Sequence, residues 1–149
     1  MNPGLHEQGV TLVELLVTVV VLGILAAIGT PMYRQYIERA HRVDATTALM
    51  RLAANQERFY LQNNTYADDD ELADAMPEGL GIGATENGYY TLSITDAEDL
   101  TVGYTANATI AAGGEQATDT ECWRFSITHQ GTRSAVTEDD EDNTDECWR

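Results

Sequence analysis

The side chains in this sequence best able to do chemistry are Cys122 and Cys147, the serines Ser93, Ser126 and Ser134, and the histidines His6, His41 and His129. The serines and histidines fall in no recognised nucleophile–base pattern, so the sequence predicts no enzyme. His129 sits in a turn-like stretch and reads as a solvated side chain. Neither cysteine has a histidine or cysteine neighbour at metal-ligand spacing, which argues against a zinc site. Two cysteines in a small domain outside the cytoplasm suggest a disulfide instead. It would close a loop of about 26 residues and contribute roughly 3–4 kcal/mol on the chain-entropy model. The acidic runs Asp68–Glu71 and Glu138–Glu146 offer oxygen ligands for calcium, but neither has the spacing of an EF-hand loop. They read as solvated surface, and no metal or cofactor is expected.

Charge narrows the field further. The 149 residues carry a formal charge of −17 and no lysine. Through residue 59, five acids balance five arginines. Residues 60–149 hold the other 20 acids against Arg124, Arg133 and Arg149, so the whole imbalance lies there. Such a surface repels phosphate backbones, which are bound by clustered arginine or lysine. No nucleic-acid partner is expected from it.

The elements that must position these residues begin with an uncharged run of 19 residues, Leu15–Tyr33. A helix needs roughly 20 apolar residues to cross a bilayer. Residues 1–9 form a short polar leader, and a helix is predicted from Val10 to about Leu61, some 78 Å at 1.5 Å per residue. Its first half is apolar on every face. Gly23, Gly29 and Pro31 are points where it could bend or break. Beyond Pro31 the pattern becomes amphipathic: Tyr33, Ile37, Ala40, Ala48, Leu52 and Phe59 form one stripe, while Arg34, Glu38, Arg42, Arg51 and Glu57 fill other faces.

Residues 63–88 are rich in Asn, Gly and acids and read as loop, with a short helix near Glu71–Ala75. Strands are predicted at Tyr89–Ile94, Leu100–Ile110, Trp123–Thr128 and Arg133–Val136, the last two joined by a turn at 129–132. The tail from Thr137 to Glu146 reads as irregular until Cys147 ties it back. Glu121-Cys122-Trp123-Arg124 recurs as Glu146-Cys147-Trp148-Arg149, and each tryptophan is expected to cover the disulfide and pack on the sheet edge. The fold class is therefore α+β, a long N-terminal helix packed on an antiparallel sheet of about four strands.

Gly9-Val10-Thr11-Leu12-Val13-Glu14 at the head of this helix resembles the leader junction of type IV pilin precursors. The resemblance continues through Gly23-Ile24-Leu25-Ala26-Ala27-Ile28 and Pro31 and covers about the first 50 residues closely. Looser matches to PilE-like type IVa minor pilins lie at Asn55–Tyr60, Asn64-Thr65-Tyr66, Trp123–Thr128 and Cys147-Trp148. Val10 stands where the family usually has phenylalanine. The leader lacks arginine and carries Glu7, so the positive-inside rule alone would place the N-terminus outside; the resemblance and the cysteines require the opposite.

The resemblance implies the type IV pilin fold and three segments: a leader at 1–9, a transmembrane and filament-core helix at 10–33, and a periplasmic globular domain at 34–149. Prepilin peptidase would cut after Gly9 and methylate the amine of Val10. Glu14, at the edge of the apolar run, would pair with the N-terminal amine of a neighbouring subunit and so offset its desolvation, which for a carboxylate costs about 2.5–3.5 kcal/mol at the bilayer centre and less near the surface. Pro31 would break the helix, and the Cys122–Cys147 loop would be exposed. Implied partners are other pilin subunits, major and minor, prepilin peptidase and the inner-membrane assembly machinery. The subunit would sit in the inner membrane by a single pass, then in an extracellular pilus serving twitching motility and adhesion. Competing readings are a major pilin, a type II secretion pseudopilin, an adhesive or DNA-uptake pilin, and an unprocessed single-pass membrane protein.

Overall fold

The computed structural model describes residues 11–96 and 99–149. Its elements are α1 (Leu12–Asn63), β1 (Tyr90–Asp96), β2 (Tyr104–Ile110), β3 (Arg124–Thr128), β4 (Arg133–Val136) and a single helical turn, α2 (Thr144–Cys147). Gly9 and Val10 lie outside the described residues. The chain divides into two compact units, residues 1–37 and 38–149.

In the first unit, the Thr-Leu-Val-Glu order explains where α1 begins. A helix start leaves backbone N–H groups without partners, and threonine at the cap accepts one of them. Here the Glu14 N–H donates to Thr11 Oγ1 at 3.2 Å, and the Leu15 N–H donates to the Thr11 carbonyl at 3.1 Å. The helix is continuous through position 31, so the break expected at Pro31 does not end it. Proline withdraws one ladder hydrogen bond, and the bonds on either side are enough to carry the helix past it. Large apolar side chains from Leu12 to Ile28 are 49–81 % exposed. This helix is long and apolar enough to cross a membrane, and none of its most apolar window is buried among the described residues.

In the second unit, residues 38–63 of α1 lie against a four-stranded antiparallel sheet in the order β1-β2-β3-β4. The helix buries a row spaced three and four residues apart: Arg42, Ala45, Leu49, Leu52, Gln56 and Phe59. The facing sheet alternates as strands with one covered face must. Tyr90, Leu92 and Ile94 point inward from β1, Ala106, Ala108 and Ile110 from β2, and Phe125 and Ile127 from β3. Register sets large beside small: Leu92 opposes Ala108, Ile94 opposes Ala106, and Phe125 opposes both Ala108 and Ala135. Small residues on the central strand leave room for the helix and for the Phe125 ring.

The four strands match the predicted ones to within a few residues. Several other expectations are corrected. Ala40 is exposed and does not join the buried stripe, while Arg42 is buried (9 % exposed) rather than on a solvent face. Residues 71–75 form turns rather than a helix, because Asp68 Oδ1 takes the Asp70 and Glu71 N–H groups into a local turn. The tail is more ordered than expected: Asp142 pairs with Val136, and α2 leads into Cys147.

The long 64–88 connection is held by side chains. Gln56, fully buried, donates to the Ala67 carbonyl at 2.8 Å and accepts the Ala67 N–H at 2.9 Å. Asn55 donates to the Leu80 carbonyl at 2.8 Å. Asp69 accepts the Ile94 N–H at 2.7 Å. These bonds satisfy backbone groups that have no ladder partner.

Candidate functional site

Two features of the second unit bear on function: a buried polar clamp that ties α1 to the loop before β3, and the disulfide that follows it. The clamp starts on the helix. The Arg42 guanidinium donates from Nε to Asp119 Oδ2 at 2.7 Å and from Nη2 to Oδ1 at 2.8 Å, with Asp119 1 % exposed. Gln116, fully buried, donates from Nε2 to Asp119 Oδ2 at 2.8 Å and to the Glu38 carbonyl at 3.1 Å. Its Oε1 pairs with His41 Nδ1 at 2.9 Å, and the His41 ring stacks on Tyr89 with centroids 3.8 Å apart.

The electrostatics of this cluster are consistent with a fixed ion pair. Burial opposes the Arg42 charge, but the hydrogen bond and charge of Asp119 outweigh it and hold the guanidinium above its ordinary range. Burial first, and then the Asp119 charge, push the Tyr90 phenol well above its usual value.

Asp119 also reaches forward. Its Oδ1 accepts the backbone N–H groups of Glu121 and Cys122, both at 3.2 Å. One carboxylate thus orders the helix, the loop and the first cysteine of the bridge. Cys122 and Cys147 are joined, with Cα atoms 5.7 Å apart and both side chains buried. The residue just after the bridge is tied to the sheet: Trp148 Nε1 donates to the Ser134 carbonyl at 2.8 Å, its ring meets Phe125 edge-on, and Arg133 lies 5.2 Å from its centroid. Trp123 packs against the core.

The other chemistry-bearing residues stay apart. Ser126 Oγ donates to Asn107 Oδ1, and no serine hydroxyl pairs with a histidine among the described residues. No cluster of three or more His, Cys, Asp or Glu suited to a metal occurs among them. Glu14 is exposed in the first turn of α1. Arg42 and Gln56 had a sequence signal, since they share the spacing of Ala45, Leu49, Leu52 and Phe59. Gln116 and Asp119 had none, because a loop residue's partner 77 positions away leaves no periodic trace.

Comparison with known proteins places this arrangement. Residues 5–30 match the prokaryotic N-terminal methylation motif. Residues 31–126 match the family described as type IV minor pilin ComP, DNA uptake sequence receptor. The type IV major pilin protein PilA of Myxococcus xanthus is 30 % identical over 136 residues, covering 91 % of this chain and 56 % of PilA. The type II secretion system core protein G of Pectobacterium carotovorum is 31 % identical over 68 residues, 46 % of this chain and 44 % of that protein. A type IV pilin structure from Shewanella oneidensis aligns with a TM-score of 0.46 at 26 % identity, over 64 % of this chain and 89 % of the other. The chain spans about half the length of the curated relatives it matches.

Proposed function

The chain belongs to the type IV minor pilin ComP family, and on that premise we propose that it is a non-enzymatic minor subunit of a type IV pilus, processed at its leader and assembled through α1. The observation that carries this reading is the uncovered apolar helix from Leu12 to Ile28, headed by Thr11 and Glu14 and preceded by Gly9. A surface that apolar must be covered by lipid or by other helices. A pilin meets both demands in turn, first as a membrane anchor and then as a strand of the filament core.

In this proposal residues 1–9 are the leader, 10–33 the anchor and core segment, and 34–149 the periplasmic domain with the second half of the helix. Prepilin peptidase cuts after Gly9, whose bare backbone admits the enzyme, and Val10 carries the N-methyl group. Glu14 pairs with the amine of a neighbouring subunit and sets the axial register. Partners are the other pilins and the inner-membrane assembly machinery, and the roles are assembly, twitching motility and adhesion. Mass spectrometry of the native N-terminus tests this directly. A chain beginning at methylated Val10 is expected; one beginning at Met1 would remove the basis for assembly.

The family description favours a second reading, reception of DNA. The charge of −17 opposes it, because phosphate binding requires clustered cations. Mobility-shift titration of duplex DNA at low and high salt decides between them. Tight, salt-dependent binding would establish the receptor role, and the pilus-subunit reading expects none. The bridged Cys122–Cys147 loop weighs against a pseudopilin reading, and scoring piliation against exoprotein secretion in a deletion strain separates those two.

A further inference from the structure

One cleft in the globular unit brings together a carboxylate, an imidazole and two hydroxyls, from Glu57, His129, Tyr104 and Thr128. It has a volume of about 360 Å³ and lies between α1 and the β3–β4 turn, with Ala54 and Glu57 on one wall, Tyr104 at its floor and Thr128 and His129 on the other. Sites for small ligands begin at roughly 300 Å³.

One of its polar groups has no partner. The Thr128 hydroxyl is buried and makes no hydrogen bond. Native proteins rarely leave such groups unpaired. Tyr104 also lines the cleft and is 2 % exposed. The Glu57 carboxylate accepts the Tyr66 hydroxyl at 3.3 Å and keeps capacity for more bonds.

Two rings line the cleft, those of Tyr104 and His129, and Tyr66 packs against them without lining it. The Tyr66 ring lies 4.8 Å from Tyr104 and 6.3 Å from His129 by centroids. The His129 N–H donates to the Tyr104 carbonyl at 3.1 Å, and the turn is closed by Gly131 N–H to the Thr128 carbonyl at 2.8 Å. Glycine at 103 makes room for the imidazole, since a Cβ there would collide with the His129 ring. Burial, followed by the Glu57 charge, raises both the Tyr66 and the Tyr104 phenols, which keeps them as neutral donors.

The ligand class follows from this mixture. No arginine lines the cleft and a carboxylate does, which excludes an anion. A bare cation would satisfy Glu57 and leave the Thr128 proton unpaired. A neutral polyhydroxylated ring offers acceptors to the hydroxyls, donors to the carboxylate and a C–H face to the aromatic walls. Position agrees: Glu57 lies about 28 Å along α1 from Glu38, where this unit begins, at 1.5 Å per residue. We propose that this cleft binds a pyranose unit of a glycan.

Display of the site on a fibre rests on the pilus reading, but the binding does not, so the two can fail separately. The test is isothermal titration of the full-length protein, held in a detergent without a sugar headgroup, with glucose, galactose, N-acetylglucosamine and their β-linked disaccharides. Saturable millimolar binding to at least one saccharide is expected. Tyr104→Phe keeps the ring, Thr128→Val keeps the shape, and each should weaken binding about tenfold, as loss of one good hydrogen bond does. Circular dichroism confirms that each variant is folded; if Thr128→Val is not, Tyr104→Phe alone decides. Absence of binding to every saccharide, or full affinity in Tyr104→Phe, would overturn the proposal. So would preferential binding of tetramethylammonium or of a single-stranded oligonucleotide in parallel titrations.

Discussion

Arg42 on α1 holds Asp119 by both carboxylate oxygens, at 2.7 and 2.8 Å, across 77 residues of sequence. Both partners are buried, so the pair has been taken out of water and neither charge tolerates loss of the other. Asp119→Ala is expected to cost about 3–5 kcal/mol, because it strands the guanidinium and frees the N–H groups of Glu121 and Cys122. Denaturant unfolding followed by Trp123 and Trp148 fluorescence measures it. A loss of about 1 kcal/mol or less, the range of surface pairs, would show the clamp to be idle.

The Cys122–Cys147 bridge closes a loop with a sequence separation of 25. Its removal by Cys122→Ser should lower stability by roughly 3–4 kcal/mol. A reducing agent should destabilise the parent protein to a similar extent and leave the Cys122→Ser variant unchanged. A variant melting with the parent would contradict this account.

Alkaline pH should weaken the domain through its buried phenols. Tyr90 and Tyr104 ionise at 10.0 when exposed, as in the unfolded chain, and both are raised in the fold, by burial first. A raised acid keeps its proton in the native state while the unfolded state sheds it. Its stabilising contribution is therefore complete below the unfolded value and is lost as pH climbs from there through the folded value. Melting temperatures taken from about pH 9 to pH 11 should fall above 10. Tyr90→Phe and Tyr104→Phe should each flatten the decline; an identical decline in both would refute the assignment.

Glu14→Ala separates helix formation from assembly. Glu14 contributes its backbone N–H to the Thr11 cap, which alanine also supplies, so the helix start should survive. Membrane fractionation is expected to recover the variant at parental levels, while sheared-fibre fractions lose it. Normal incorporation into fibres would eliminate the pairing role of Glu14.

The parts of the molecule governed by periodicity were readable from sequence. Alternation gave three of the four strands, the turn at 129–132 led to the fourth, and the uncharged run gave the apolar first half of α1. The inner stripe of α1 was read only in part, because Arg42 was assigned to another face by residue type and Gln56 was left out of the stripe. Their spacing puts them in one row with Leu49 and Leu52, and tertiary partners at Asp119 and Ala67 make that burial tolerable. The short helix at 71–75 failed because Asp68 offered the backbone a local hydrogen bond that competes with a helical turn. Nothing periodic links His41 to Gln116 or Tyr104 to His129, so the clamp and the cleft come into view only with the fold.

The position of Arg42 within the helix has a mechanical consequence. It is the first buried residue of α1 in the globular unit. Any pull on α1 meets this pair early in the unit, and its two hydrogen bonds share the load. Its far end, Asp119, is hydrogen-bonded to the backbone of Cys122, whose covalent tether to Cys147 limits how far the chain can pay out. The domain is thus anchored at its point of entry by a rivet backed by a stop.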